Sequence, residues 1–270
     1  MGEIILRPKS LPKVPLEADV ISPDVFAGKS LDEIKKLEIW KGNKKVPLSE
    51  FFEVEGSPSE KVEDVRIIID GNVARVKWIG KGMSAGEIVI KGDAGMHLGS
   101  GMRGGTIIVE GSVDDWCGAE MRGGTIEIKG NAGNYLGAAY RGGWVGMQKG
   151  TIIVHGSAGN EIGAWMANGK IVIEGDAGMY TGVHMHGGFI LIRGNCMERV
   201  GGEMTNGKII ILGQLKEILP TFKLDDEVSE IEIDGDKIGG PFLKFIGDLA
   251  DNGKGELYVL KEKNQHLLEG

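Results

Sequence analysis

The sequence predicts an all-β protein, a right-handed parallel β-helix of about 19 residues per coil with seven to eight coils. Three observations predict it: a glycine frame of fixed period, alternating apolar strands inside that frame, and columns of like residues at equal phase. Gly86, Gly105, Gly124, Gly150, Gly169, Gly188 and Gly207 each precede an apolar strand. Five of the six intervals between them are 19 residues and the third is 26, so one turn carries seven extra residues. A degenerate first copy, VRIIIDG, occupies residues 65–71.

Within the frame, the second residue after each opening glycine is isoleucine in all seven copies, and the fourth is Ile or Val. Alternation puts the two on one face of a strand. Glycine recurs six and thirteen residues after the opening one, and 46 glycines in 270 residues far exceed the usual ~7%. A 19-residue unit with so short a strand has too little surface to bury its own apolar face, and stacking neighbours supplies the cover. A helical unit would need a 3.6 period, which is absent, and its glycines would each cost about 1 kcal/mol relative to alanine. Coils stacked at the inter-strand spacing of about 4.8 Å give a prism roughly 35 Å tall. Right-handed winding follows from the preference of parallel crossovers.

Equal phases then lie above one another. Five residues on, the column reads Lys91, Glu110, Lys129, His155, Glu174, Arg193, a self-neutralising exposed ladder. Seven on come Asp93, Ser112, Asn131, Ser157, Asp176 and Asn195, turn residues expected to bond back to the local backbone. Eight on, Cys196 replaces alanine at a small inward corner, where it reads as a buried apolar residue. Sixteen on come Met102, Met121, Tyr140, Met166, Met185 and Met204.

The repeat suggests three parts: an N-terminal capping segment (1–62), the repeat (63–213) and a C-terminal capping segment (214–270). Open ends of a parallel stack template aggregation, so caps are needed. Ser30 and Glu33 form a capping box opening a helix over SLDEIKKLEIW, with a second helix near PLSEFF. The C-terminal part reads as a strand (SEIEIDG), a short helix (PFLKFIGDLA) and a hairpin or strand (GELYVLKE). The seven extra residues, placed at 142–148, should bulge from a corner and display Trp144 and Met147.

A net charge of −8 gives no electrostatic footprint for nucleic acid. No run of about 18–20 apolar residues predicts a membrane span. The N-terminus lacks a signal-peptide layout, and two isolated cysteines make no disulfide framework, so a cytoplasmic protein is expected.

Few residues invite a chemical role. GSGMRGG matches a dinucleotide-binding GxGxxG, but a strand rather than a helix follows it. His184 and His186 lie two apart with no acidic or cysteine cluster at ligand spacing, which favours exposed or interface histidines over a metal site. Asp93 and Asp176 share a phase four coils apart, which argues against a calcium cluster of the polysaccharide-lyase kind. Seventeen after the opening glycine stand Arg103, Arg122 and Arg141. They read either as a solvated edge or as a docking stripe for carboxylates of a partner or an anionic ligand. Eleven after it stand His97, Trp116, Tyr135, Glu161, Tyr180 and Arg199, either a core stack or a contact stripe. Arg103, Arg122, Arg141, Trp144, Trp116 and Tyr135 are therefore the candidate contact residues, and no catalytic or metal-binding residue is expected.

The unit Gly-x-x-Met-x-x-Gly-x-Ile-x-Val-x-Gly is carried by GKGMSAGEIVIKG (80–92), GSGMRGGTIIVEG (99–111), GAEMRGGTIEIKG (118–130), WVGMQKGTIIVHG (144–156), GAWMANGKIVIEG (163–175), GVHMHGGFILIRG (182–194) and GGEMTNGKIIILG (201–213). This array resembles the C subunits of formylmethanofuran dehydrogenases from methanogenic archaea, themselves similar to the C-terminal β-helix of the glutamate synthase large subunit. The resemblance covers residues 65–213. It implies a non-catalytic scaffold in an oxidoreductase complex that reduces CO2 and condenses the formate with methanofuran. It further implies partners that carry the chemistry: a dehydrogenase-like subunit with a tungsten or molybdenum pterin, a zinc amidohydrolase-like subunit and iron–sulfur subunits. Two isolated cysteines fall short of the four thiolates a cluster wants. Two other contexts use the same scaffold: bacterial formyltransferase/hydrolase complexes, and a glutamate-synthase-like spacer module.

Overall fold

A computed structural model describes residues 2–233 and 235–268. Strands dominate it: β1 (Gly2–Pro8), β2 (Leu16–Glu17), β3 (Glu38–Lys41), β4 (Lys44–Pro47), β5 (Phe52–Ser57), β6 (Val65–Ile69), β7 (Val76–Lys77), β8 (Glu87–Ile90), β9 (Thr106–Val109), β10 (Arg122–Ile128), β11 (Lys149–Val154), β12 (Lys170–Ile173), β13 (Phe189–Ile192), β14 (Lys208–Ile211), β15 (Lys223–Ile233), β16 (Asp236–Gly247) and β17 (Gly255–Leu260). The α-helices among the described residues are short, α1 (Pro23–Phe26) and α2 (Leu31–Lys36). The protein is all-β.

Strands β6 and β8–β14 run parallel and in order through one thirteen-stranded sheet. Equal phases pair: Ile107 with Ile126, Ile126 with Ile152, Ile152 with Ile171. The second of these pairs spans the longer turn: the register shifts between Arg122 and Thr125 and is regular from Thr125 to Ile128. Each of these isoleucines is fully buried, a gain of about 1.5–3 kcal/mol apiece over exposure. A second parallel column of bridges links Val73, Ala94, Val113, Ala132, Ala158, Ala177, Cys196 and Leu215. Cys196 does occupy the small inward corner and is buried.

The polar column seven residues on differs from expectation. Its side chains bond the next copy rather than their own turn. Asp93 Oδ1 accepts from Ser112 N at 2.8 Å, Ser112 Oγ from Asn131 N at 3.0 Å, and Asn131 Oδ1 from Ser157 N at 2.8 Å. The chain continues through Asp176 and Asn195 to Gln214 N. Stacking puts the neighbour's N–H closer to each side-chain oxygen than any N–H of its own turn. The charge ladder five on pairs in part vertically, with Arg193 Nε 3.0 Å from Glu174, while Lys129 and His155 meet on Glu127.

Glycines thirteen on hold a left-handed backbone, and a side chain there would also strike the core. At Gly118 (φ +63°) an added Cβ would lie 2.5 Å from Ile152 Cδ1.

At one end, β1 pairs parallel with β6 and antiparallel with β5. A small sheet, β4-β3-β2-β7, lies beside them. The capping box of Ser30 and Glu33 is present, but α2 stops at Lys36. Residues 38–41 alternate exposed and buried, with Ile39 inward, and form β3 instead. Near PLSEFF only a 3-10 turn forms over Leu48–Glu50.

At the other end, β17 continues the parallel ladder beside β14, and β16 and β15 follow antiparallel. PFLKFIG of this segment is therefore strand, not helix, and a 3-10 turn over Leu249–Asp251 follows. Phe242 packs on one face and Leu243 and Phe245 on the other, so apolar residues on both sides hide the period of two. The β15–β16 hairpin uses Ile231 and Phe242 to cover Val172, Leu191, Ile210 and Tyr258, the outward apolar residues of β12–β14 and β17. Lys244 ties it down, 2.9 Å from Asp225 and 3.1 Å from Glu256, and these carboxylates raise its pKa.

Candidate interaction surface

The corner after the bridge column is where the chain departs from ordinary backbone. His97, Trp116, Tyr135, Glu161, Tyr180 and Arg199, all at phase eleven, and Trp78, below His97, are left-handed, with φ between 56° and 69°. Such a conformation costs a non-glycine residue about 1–2 kcal/mol. Vertical hydrogen bonds hold it, such as His97 N to Asp115 O at 3.0 Å and Trp116 N to Asn134 O at 2.9 Å. The conformation throws the side chains outward in a stack. Trp78 and His97 lie 4.1 Å apart between centroids at 8°, and Trp116 and Tyr135 4.2 Å apart at 11°. All but the exposed Arg199 are half-buried, so the column is neither core nor fully open. Trp78 is a member that sequence reasoning missed; a step of 19 back from His97 finds it, whereas counting on from the degenerate first copy, which pairs at an offset of 21, reaches Val76.

The seven extra residues are Tyr140–Gly146. Ala139 N bonds Ala164 O and Met147 N bonds Gly137 O, so the regular turn resumes at Met147. Two sequence expectations are corrected here. Met147 is fully buried and fills the methionine column, in the place assigned to Tyr140. Arg141 lies in the insert and not above Arg122; Gln148 takes that place, its N–H bonding Met121 O as the Arg122 N–H bonds Met102 O. Equal spacing does not carry across this turn, whose extra residues begin two positions earlier than expected.

The insert is fastened at its start. The Tyr140 hydroxyl lies 2.9 Å from His97 Nδ1 and 2.8 Å from Ser100 Oγ, and its ring is 5.0 Å from that of Trp116. Burial drives both groups away from charge, the Tyr140 pKa up to about 12 and that of His97 down to about 4. Arg141 donates to the Tyr135 hydroxyl at 2.9 Å and lies over its ring. Trp144 is 69% exposed and meets Trp165 edge-on at 4.9 Å. Beside the insert runs a groove of about 330 Å³, with Glu161, Tyr180 and Glu203 in its walls.

Arg103 and Arg122 are exposed in one column. Among the described residues neither is paired with a carboxylate, in contrast to Arg7, Arg66 and Arg193. His184 stacks on Trp165 at 4.0 Å and lies 3.2 Å from Glu203, and His186 contacts Thr205.

Among the described residues no three His, Cys, Asp or Glu side chains gather as metal ligands. Cys117 and Cys196 are buried, and burial pushes both thiols up to about 12, far from the thiolate a metal prefers. This donor set does not fit a tungsten or molybdenum centre. No helix is long and apolar enough to cross a membrane.

No family model matches the chain. It is 60% identical over 268 residues to the C subunit of the tungsten-containing formylmethanofuran dehydrogenase 2 of Methanothermobacter thermautotrophicus, covering 99% of both chains. The chain belongs to the family of formylmethanofuran dehydrogenase C subunits. A second member, from the tungsten-containing enzyme of Methanococcus maripaludis, is 50% identical over 277 residues, covering 99% of this chain and 100% of its own. The corresponding chain of the molybdenum-containing enzyme of Methanosarcina barkeri is 54% identical over 98 residues, 36% of this chain and 33% of its own. Among solved structures, a chain of the formyltransferase/hydrolase complex from Methylorubrum extorquens, in complex with methylofuran, superposes with a TM-score of 0.84 at 29% identity. It covers 95% of this chain and 99% of that one. C subunits of this family are thus parts of an oxidoreductase.

Proposed function

We propose that this chain is the scaffold of a formylmethanofuran dehydrogenase, a right-handed parallel β-helix whose faces hold the other subunits in place. The full-length identity of 60% to its counterpart in a tungsten enzyme carries the reading. The fold supports it: the repeat spends its side chains on stacking, and its cysteines are buried. Residues 63–213 serve as the shaft, with 1–62 and 214–270 closing its ends. CO2 reduction and formyl transfer to methanofuran take place on the partners: a tungsten or molybdenum pterin subunit, a zinc amidohydrolase-like subunit and iron–sulfur subunits. The complex works in the cytoplasm. A hydrolytic formyltransferase context is the weaker reading, because the likeness to that complex is 29% against 60%.

The test is purification of the native complex through a tag on this chain, followed by metal analysis and assay of formylmethanofuran oxidation. Tungsten or molybdenum and activity should co-elute with the tag. A tagged chain that elutes alone, or with a metal-free hydrolase, refutes the reading.

A further inference from the structure

The scaffold reading leaves open which surface grips a partner, and one corner has the properties of a grip. We propose that the Tyr140–Gly146 insert is a docking knob for another subunit of the complex, one that offers an apolar socket rimmed with carboxylates. Trp144 is the anchor, and Arg122 and Arg103 are the cationic rim. The inference rests on the chain being a subunit of such a complex.

Three observations carry it. Trp144 is the most exposed of the large apolar side chains among the described residues, and Val145 beside it is 44% exposed. An exposed tryptophan on a fixed carrier is the usual energetic centre of an interface. The carrier is fixed: the Tyr140 hydroxyl is held by His97 and Ser100, Arg141 by the Tyr135 hydroxyl, and Trp144 rests on Trp165. Little ordering entropy remains to be lost on docking.

Charge sets the chemistry of the socket. Arg122 stands one strand before the insert and Arg103 two. Trp165, against which Trp144 packs, reaches the ring of His186 at 5.4 Å, and His186 occupies the phase of Arg103 and Arg122. Knob and arginines therefore share one side of the molecule. In a chain of net charge −8, two neighbouring guanidiniums without a carboxylate call for carboxylates on the partner. Trp116 and Tyr135 have a different part, since they hold the insert from behind.

The experiment co-produces the other subunits with a mixture of untagged wild-type chain and a tagged variant, and measures the ratio of the two in the assembled complex. Tagged wild type fixes the reference; if it enters no complex, the scaffold reading fails and this inference with it. Trp144→Ala should fall at least about tenfold below the reference. The double variant Arg103→Gln/Arg122→Gln should fall several-fold, with a weaker dependence on salt. Deletion of Tyr140–Gly146, which restores a 19-residue turn, should behave as Trp144→Ala or worse. Thermal melts of the isolated variants check folding. Trp144→Ala and the deletion folded and assembling at the wild-type ratio would overturn the proposal. So would loss of assembly on Glu161→Gln/Glu203→Gln with the arginine variants unaffected, since that marks a basic partner in the neighbouring groove.

Discussion

The side-chain oxygen of Asn131 accepts the backbone N–H of Ser157 at 2.8 Å across 26 residues of chain, as that of Ser112 accepts the N–H of Asn131 across 19. Register is therefore kept by vertical bonds and not by turn length. Asn131→Ala removes one link and should lower unfolding stability by about 1 kcal/mol. Chemical denaturation of the isolated chain measures it, and Asn131→Asp, which keeps the acceptor, should recover most of the loss.

Gly118 meets the core at the corner. Gly118→Ala places a methyl against Ile152 Cδ1 and also forces alanine into a left-handed backbone. Overpacking and conformation together should cost about 2–4 kcal/mol. Gly82, left-handed with open space around it, should accept alanine at about 1–2 kcal/mol, the conformational part alone. Paired melting curves separate the two contributions.

His97 makes the corner sensitive to acid. Burial, aided by Lys77, holds its folded pKa down at about 4, whereas the unfolded imidazole protonates near 6.5. The unfolded chain thus takes up a proton that the folded chain refuses. Stability is whole above about pH 6.5 and declines as pH falls from there towards 4. Across that window the melting temperature of the wild type should drop more than that of His97→Asn, a residue that tolerates the left-handed backbone.

Tyr140→Phe removes the hydroxyl shared by His97 and Ser100. The shaft should remain folded while amides of residues 140–146 exchange at least several-fold faster. Hydrogen exchange read by mass spectrometry follows both regions together.

Both cysteines should resist thiol reagents in the native state, because burial keeps them protonated and out of reach. Labelling should appear only with the unfolding transition. Fast reaction of Cys196 at neutral pH in native buffer would contradict its place in the alanine column.

The shaft is readable because each rung imposes the same demand on the same phase: isoleucine inward, small residues at the bridge column, glycine where Ile152 and its counterparts press on the backbone. Elements outside that symmetry are not. Residues 38–41 look like a helical continuation of SLDEIKK until the burial of Ile39 shows a period of two. Phe242, Leu243 and Phe245 give no alternation, because the hairpin lies between two apolar clusters. The outward Val172, Leu191 and Ile210 are the available signal for a cover over those strands, since an exposed face has no use for them. At the candidate surface, Arg103, Arg122, Trp144, Trp116 and Tyr135 stand out by phase or insertion, but equal spacing gives Arg141 a place in a column that Gln148 fills. A one-dimensional count does not locate where a long turn rejoins its frame.

Backbone bonds close on both sides of Tyr140–Gly146, from Ala139 to Ala164 in the next copy and from Met147 back to Gly137 in its own turn. The extra segment is consequently spliced into the polypeptide beside the lattice and joins it at its two ends, through the Tyr140 hydroxyl and through Gly146 N, which bonds Trp165 O at 2.7 Å. Residues 141–145, between those two ties, can drift with little penalty to the rest, so a lineage can reshape this corner while inheriting the column unchanged.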